Sequence, residues 1–139
     1  MFGVTGPHRS EESTVRSFST NLPELLVAME LDSRTLICIA KFPDGRYIQF
    51  RVGSGVTIVE VVSNQFLDDA NALSEEDEER LRSIGFNEPS TSRYPNWRHE
   101  VTDSMAVAQL VRVANSAITD ALRVSPNETV RIRTFEAPN

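Results

Sequence analysis

Glu60, His99 and Glu100 are the side chains whose types suit hydrolytic or metal-assisted chemistry, as general acid, general base or ligand. His99 and Glu100 lie in "SRYPNWRHEV" (92–101), which also holds the only tryptophan, Trp97. Their spacing argues against such a role. Adjacent residues of a strand point to opposite faces, so His99 and Glu100 address different sides of any sheet. Neither an HExxH motif nor a serine nucleophile elbow accompanies them. The second histidine, His8, falls in an aperiodic stretch near the N-terminus. Glu60, with no identifiable partner, reads more simply as a solvent-facing strand residue or the mate of an arginine across the sheet, for instance Arg51. The expectation is therefore no catalytic residues, no metal ligands and no cofactor. A metal-dependent or hydrolytic enzyme built on Glu60, His99 and Glu100 is the alternative.

The same segment invites a second chemistry, base stacking on Tyr94 and Trp97 with Arg93 and Arg98 at the phosphates. A nucleic-acid binder concentrates positive charge on one face. Here the 14 bases face 20 acids, and the one contiguous field is negative: "DDANALSEEDEER" (68–80) carries seven acids and one base. No nucleic-acid partner is expected. The reading left for the segment is architectural. Pro95 stiffens the connection and pushes Tyr94 into extended geometry, Asn96 turns the chain, and Trp97 buries its ring, its N–H needing an acceptor. Pro95 and Trp97 are the expected structural anchors.

Cys38 is the only cysteine, which excludes an internal disulfide. It lies in the apolar run "TLICIA", where cysteine behaves as a small hydrophobe. No apolar run approaches the roughly 20 residues of a membrane helix, and the start lacks the order of a signal peptide. The expectation is a cytoplasmic protein with no membrane partner.

The elements that must hold these residues follow from periodicity. Residues 1–12 read as a flexible tail and 13–139 as a single α+β domain. A helix is expected in "STNLPELLVAME", capped by Ser19, Thr20 or Asn21, with Pro23 in its first turn and Leu22, Leu25, Leu26 and Met29 inward; Val15 and Phe18 extend it as a separate turn. Three strands follow at 34–42, 46–52 and 56–64, joined by "FPDGR" and "GSG", which makes an antiparallel meander. In the second, Ile48, Phe50 and Val52 alternate with Tyr47, Gln49 and Arg51. A short helix begins at Ser74, which with Asp77 resembles a capping box, and ends at Gly85–Phe86. Glu76–Arg80 and Glu78–Arg82 are spaced as ion pairs. The acidic run is thereby explained as helix N-terminus chemistry, and it lacks the residue order of a calcium loop. "WRHEV" alternates as a short strand with Trp97, His99 and Val101 inward. The longest helix spans about 103–123, with Val107, Leu110, Val111, Ala114, Ile118, Ala121 and Leu122 on one stripe. "ETVRIRTFE" (128–136) is a last strand. The fold class is α+β: a three-stranded antiparallel meander, extended by one or two strands, packed against helices.

The "YxQF" strand, the "VSN-aromatic-L" ending, the helix exit "LRSIGFNEP" and the "PNW" segment occur in an order that resembles the TY-Chap domain, over about residues 15–125. That family is mostly actinobacterial and named for its likeness to type III secretion chaperones and the YbjN family. The resemblance implies a sheet packed on helices, protein binding in the manner of a secretion or holding chaperone, and often a homodimer. The "TVRIRTF" ending departs from the pattern and leaves strand order open. The expected function is a non-enzymatic module holding a partner polypeptide, contacted through Tyr47, Gln49 and Arg51. The acidic surface at 68–80 would favour basic clients. A structural or regulatory dimer subunit is a further alternative.

Overall fold

A computed structural model of the chain describes residues 8–53, 55–90, 93–101 and 106–138. Six strands form one antiparallel sheet: β1 (His8–Thr14), β2 (Leu36–Lys41), β3 (Tyr47–Gly53), β4 (Val56–Val61), β5 (Trp97–Val101) and β6 (Thr129–Glu136), in the order β1-β6-β2-β3-β4-β5. The expected meander is β2-β3-β4. The last strand does not extend an edge but inserts between β1 and β2, which answers the open question of strand order. Residues 8–12, expected in a flexible tail, instead pair with β6 from His8↔Phe135 to Glu12↔Arg131. Their polar composition hid a strand that buries little and is held by backbone pairing; residues 1–7 lie outside the described residues.

The helices α1 (Val15–Leu31), α2 (Glu75–Ile84) and α3 (Ala106–Ser116) supply the second layer. α1 starts earlier than expected, as one continuous helix in which Thr14 accepts the Ser17 N–H at 3.1 Å as N-cap. Pro23 therefore lies inside the helix, on its exposed side, where a carbonyl freed one turn back can tilt to water. Ser74 and Asp77 make the reciprocal capping box, with both bonds at 3.1 Å. At the other end Gly85, at φ +123°, allows the Phe86 N–H to reach the Leu81 carbonyl at 3.0 Å. Glu76 pairs with Arg80 as expected. Arg82 turns instead to Glu79 at 3.0 Å and Glu88 at 2.7 Å, rather than to Glu78. After α3 the chain widens into one π-type turn, Ala117–Ala121, and leaves through Arg123 at φ +54°. The start of the long helix as expected, including Met105, lies outside the described residues.

One core joins the layers. Phe18, Leu22, Leu26 and Met29 of α1 and Leu110, Ala114 and Ile118 of the last helix meet Leu36, Cys38 and Ala40, Ile48, Phe50 and Val52, Val59 and Val61, and Val130 and Ile132 from the strands. Arg46 ties the loops beneath it. Its guanidinium donates to the carbonyls of Asn71 (2.9 Å), Ala72 (3.2 Å) and Leu122 (3.1 Å).

Cys38 is fully buried, and burial pushes its thiol up to about 12. Two results follow. The native protein will not react with a chromogenic disulfide reagent except at the rate at which it unfolds, whereas in urea one thiol will titrate at once; rapid labelling without denaturant would contradict the packing. The unfolded thiol ionises near 9.0 while the folded one holds its proton to about 12, so this term lowers stability as pH rises through that interval and is silent below it.

Candidate binding face

Among the described residues, helices pack against one side of the sheet only. The registers bring the alternate side chains together on the other side in rows. One row runs Glu12, Arg131, Lys41, Tyr47; the next Ser10, Arg133, Ile39, Gln49, Glu60, Arg98; the next Phe135, Ile37, Arg51, Ile58, Glu100. Tyr47, Gln49 and Arg51 thus lie along the middle of this face. Ile37 and Ile58 are each only 7% exposed yet stand outside the main core. By register each has Arg51 beside it, so long side chains lie over aliphatic ones. What the face offers a visitor is charged tips more than bare hydrocarbon.

Asn96 organises one end. Its side-chain oxygen accepts the Ser63 N–H at 3.1 Å, and its Nδ2 donates to the Tyr47 hydroxyl at 3.2 Å and to Glu60 Oε1 at 3.3 Å. Asn96 lies in a bend, as expected, and from there also joins β3, β4 and the start of β5. Glu60 stands across from Gln49 and Arg98, not Arg51, because Arg51 faces Ile58 in the register. Arg98 pairs with Glu100 at 2.8 Å and lies 4.3 Å from the Tyr94 ring centre, a cation–π distance. The outer side of β5 is bridged by Asn87, whose N–H donates to the Arg98 carbonyl at 2.7 Å.

Trp97, His99 and Val101 point to the helix side, as their alternation requires. Trp97 is 1% exposed, with the Arg82 guanidinium 5.4 Å from its ring centre, and Pro95, two residues before it, is half-buried. The indole N–H finds no acceptor among the described residues, contrary to expectation. His99 Nδ1 lies 3.0 Å from the Gly85 carbonyl and Nε2 3.3 Å from Gln109 Nε2. The sheet therefore separates His99 from Glu60 and Glu100, and these three do not converge on one hollow. Among the described residues no group of three or more His, Cys, Asp or Glu side chains is placed to hold a metal ion.

A further cluster escaped the sequence reading. Lys41, Arg51, Arg98, Arg131 and Arg133 share the open face with Glu12, Glu60 and Glu100. The alternation of "TVRIRTF" already placed Arg131 and Arg133 on one side of a strand; only the register joins them to Lys41. At that corner a cavity of about 310 Å³ is lined by Glu12, Lys41, Phe42, Pro43, Thr129 and Arg131.

The described residues thus form an α+β domain with a helix layer on one side of an antiparallel sheet and a largely polar face on the other. The family model TY-Chap3, described as T3SS (YopN, CesT) and YbjN peptide-binding chaperone 3, matches residues 10–136, and the chain belongs to this family. No curated protein and no solved structure matches the chain. Among the described residues no helix is long and apolar enough to cross a membrane.

Proposed function

We propose that the chain is a non-enzymatic, cytoplasmic holding chaperone that receives an extended segment of a client polypeptide on the open face of its sheet, with Tyr47, Gln49 and Arg51 as central contacts. The observation that carries this reading is the one-sided helix layer: six strands contribute described polar or apolar side chains to a continuous face that no described helix packs against. Membership of a family described as peptide-binding supports it. Separation of Glu60 from His99 by the sheet removes the support that convergence would have lent the enzymatic alternative. A link to secretion and a homodimer belong to the same proposal. The two-residue ridge of Val27 and Leu31, 45% and 81% exposed on α1, is a candidate contact for the second copy.

A photo-crosslinking residue introduced in turn at Gln49, Leu31 and the α2 surface position Ser83 tests both parts in native lysate. Irradiation at Gln49 should yield adducts with other polypeptides, Leu31 should yield a species of twice the chain mass, and Ser83 should yield neither. Equal adducts from Gln49 and Ser83 would remove the open face from consideration.

A further inference from the structure

Resting on the reading of the open face as the holding surface, we infer that the client segment is acidic, with carboxylates at alternate positions followed by an apolar residue, and that it is held at the β2–β6 corner by Lys41, Arg131 and Arg133.

Charge distribution is the first argument. The open face sets five cations (Lys41, Arg51, Arg98, Arg131, Arg133) against three carboxylates (Glu12, Glu60, Glu100), leaving nine cations against seventeen carboxylates for the rest of the chain. In a strongly acidic protein, the face that no described helix covers thus carries an excess of cations.

Partners are the second. Elsewhere part of the acidic run is paired: Glu76 with Arg80, Glu79 with Arg82, which also holds Glu88, and Asp77 with Arg123. On the open face Arg98 has Glu100 and Arg131 has an exposed Glu12 at 3.4 Å. Lys41, Arg51 and Arg133 have no carboxylate among the described residues; Arg133 only lies 5.3 Å from the Phe135 ring centre. Lys41 and Arg131 stand directly opposite in the β2–β6 register. Like charges in that position destabilise a sheet, and a bound carboxylate between them converts the repulsion into two favourable pairs. The cavity at this corner is lined by the same two cations, by Phe42 and Pro43 as apolar wall, and by Thr129 and the exposed Glu12, which the client's carboxylate displaces from Arg131.

Spacing is the third. Arg131, Arg133 and Phe135 succeed one another on one side of β6, about 7 Å apart. An extended client has the same repeat, so residues i and i+2 meet the two arginines while i+4 meets Phe135 and its neighbour Ile37.

The test is fluorescence anisotropy on the full chain with three labelled probes of equal length: a peptide carrying Glu-Ser-Glu-Ser-Leu, its lysine-for-glutamate counterpart, and single-stranded oligo-dT. The glutamate peptide should bind on the order of tenfold more tightly than the lysine peptide at low salt, with the preference shrinking as salt rises. The double substitution Arg131→Glu/Arg133→Glu should abolish or invert that preference, while the charge-matched Arg16→Glu/Arg112→Glu, at exposed helix positions, should leave it. Lys41→Gln, a milder change read alongside a melting curve, should weaken the glutamate peptide in the same direction. Lysine-peptide binding equal to or tighter than that of the glutamate peptide overturns the acidic preference while peptide holding stands. Oligo-dT binding as tight as the glutamate peptide overturns it in favour of a general anion surface. Failure of every peptide to bind removes this proposal together with the holding function.

Discussion

Trp97→Ala will destabilise the protein by about 3–5 kcal/mol, a shift in the urea midpoint with little change in slope. Trp97 heads the largest fully buried side chains and sits at the start of β5, where it closes the end of the core against Val61 across the sheet. A domain of this kind has only roughly 5–15 kcal/mol to lose, so the variant will be partly unfolded at 37 °C. Trp97→Phe separates the ring from its N–H. The indole N–H is buried without an acceptor among the described residues, and an unsatisfied buried donor costs about 1–3 kcal/mol. Phenylalanine loses ring volume but also discards that donor, so its net effect should be small, on the order of 1 kcal/mol. A phenylalanine variant as unstable as the alanine one would mean that the N–H is bonded after all. Both outcomes concern packing at the start of β5, where Trp97 is buried on the helix side and Asn96 bonds Tyr47 and Glu60 on the other.

How much of this was legible beforehand depended on whether a signal was local. The alternation of Tyr47, Gln49 and Arg51 against Ile48, Phe50 and Val52, the Ser74–Asp77 cap, the Gly85–Phe86 ending and the inward set Trp97, His99 and Val101 are written within a few residues each, and the structure has them as read. Strand β1 was not legible because "HRSEEST" has no apolar face; its place comes from pairing with β6, more than a hundred residues away. The same separation hid the cationic face. Lys41, Arg51, Arg98, Arg131 and Arg133 are scattered along the chain, and only the β3-β2-β6 and β4-β5 registers collect them. The acidic run was conspicuous because it is contiguous, yet Asp77 is taken up in the cap, and it, Glu76 and Glu79 pair with arginines of the same helix and its neighbours. Contiguity in sequence and concentration on a surface are different properties in a sheet protein, since strand register, not chain order, decides which side chains become neighbours.

Arg46→Ala is expected to cost about 3 kcal/mol or more, from the loss of charge-assisted bonds that are each worth roughly 1.5–3 kcal/mol and are not additive. Its side chain is 12% exposed and its three carbonyl partners belong to two separate segments, the turn before α2 and the end of the last helix. Removing the guanidinium leaves the carbonyls of Asn71, Ala72 and Leu122 without that donor at once. Arg46→Lys is the informative companion. A lysine ammonium is compact and carries no planar fork, so it cannot span both segments and should recover less than half of the loss. Recovery to wild-type stability by lysine would show that charge near Asp44, at 3.6 Å, matters more than the bridging geometry. The consequence reaches the open face, because Arg46 directly follows the β2–β3 turn at Gly45, φ +91°, and that turn carries Phe42 and Pro43, which wall the cavity beside Lys41 and Arg131. Loosening of that turn should raise amide exchange in residues 42–46 before the rest of the sheet opens. Uniform exchange across all strands in Arg46→Ala would show instead that the clamp stabilises the whole fold equally and leaves the corner's shape to the sheet.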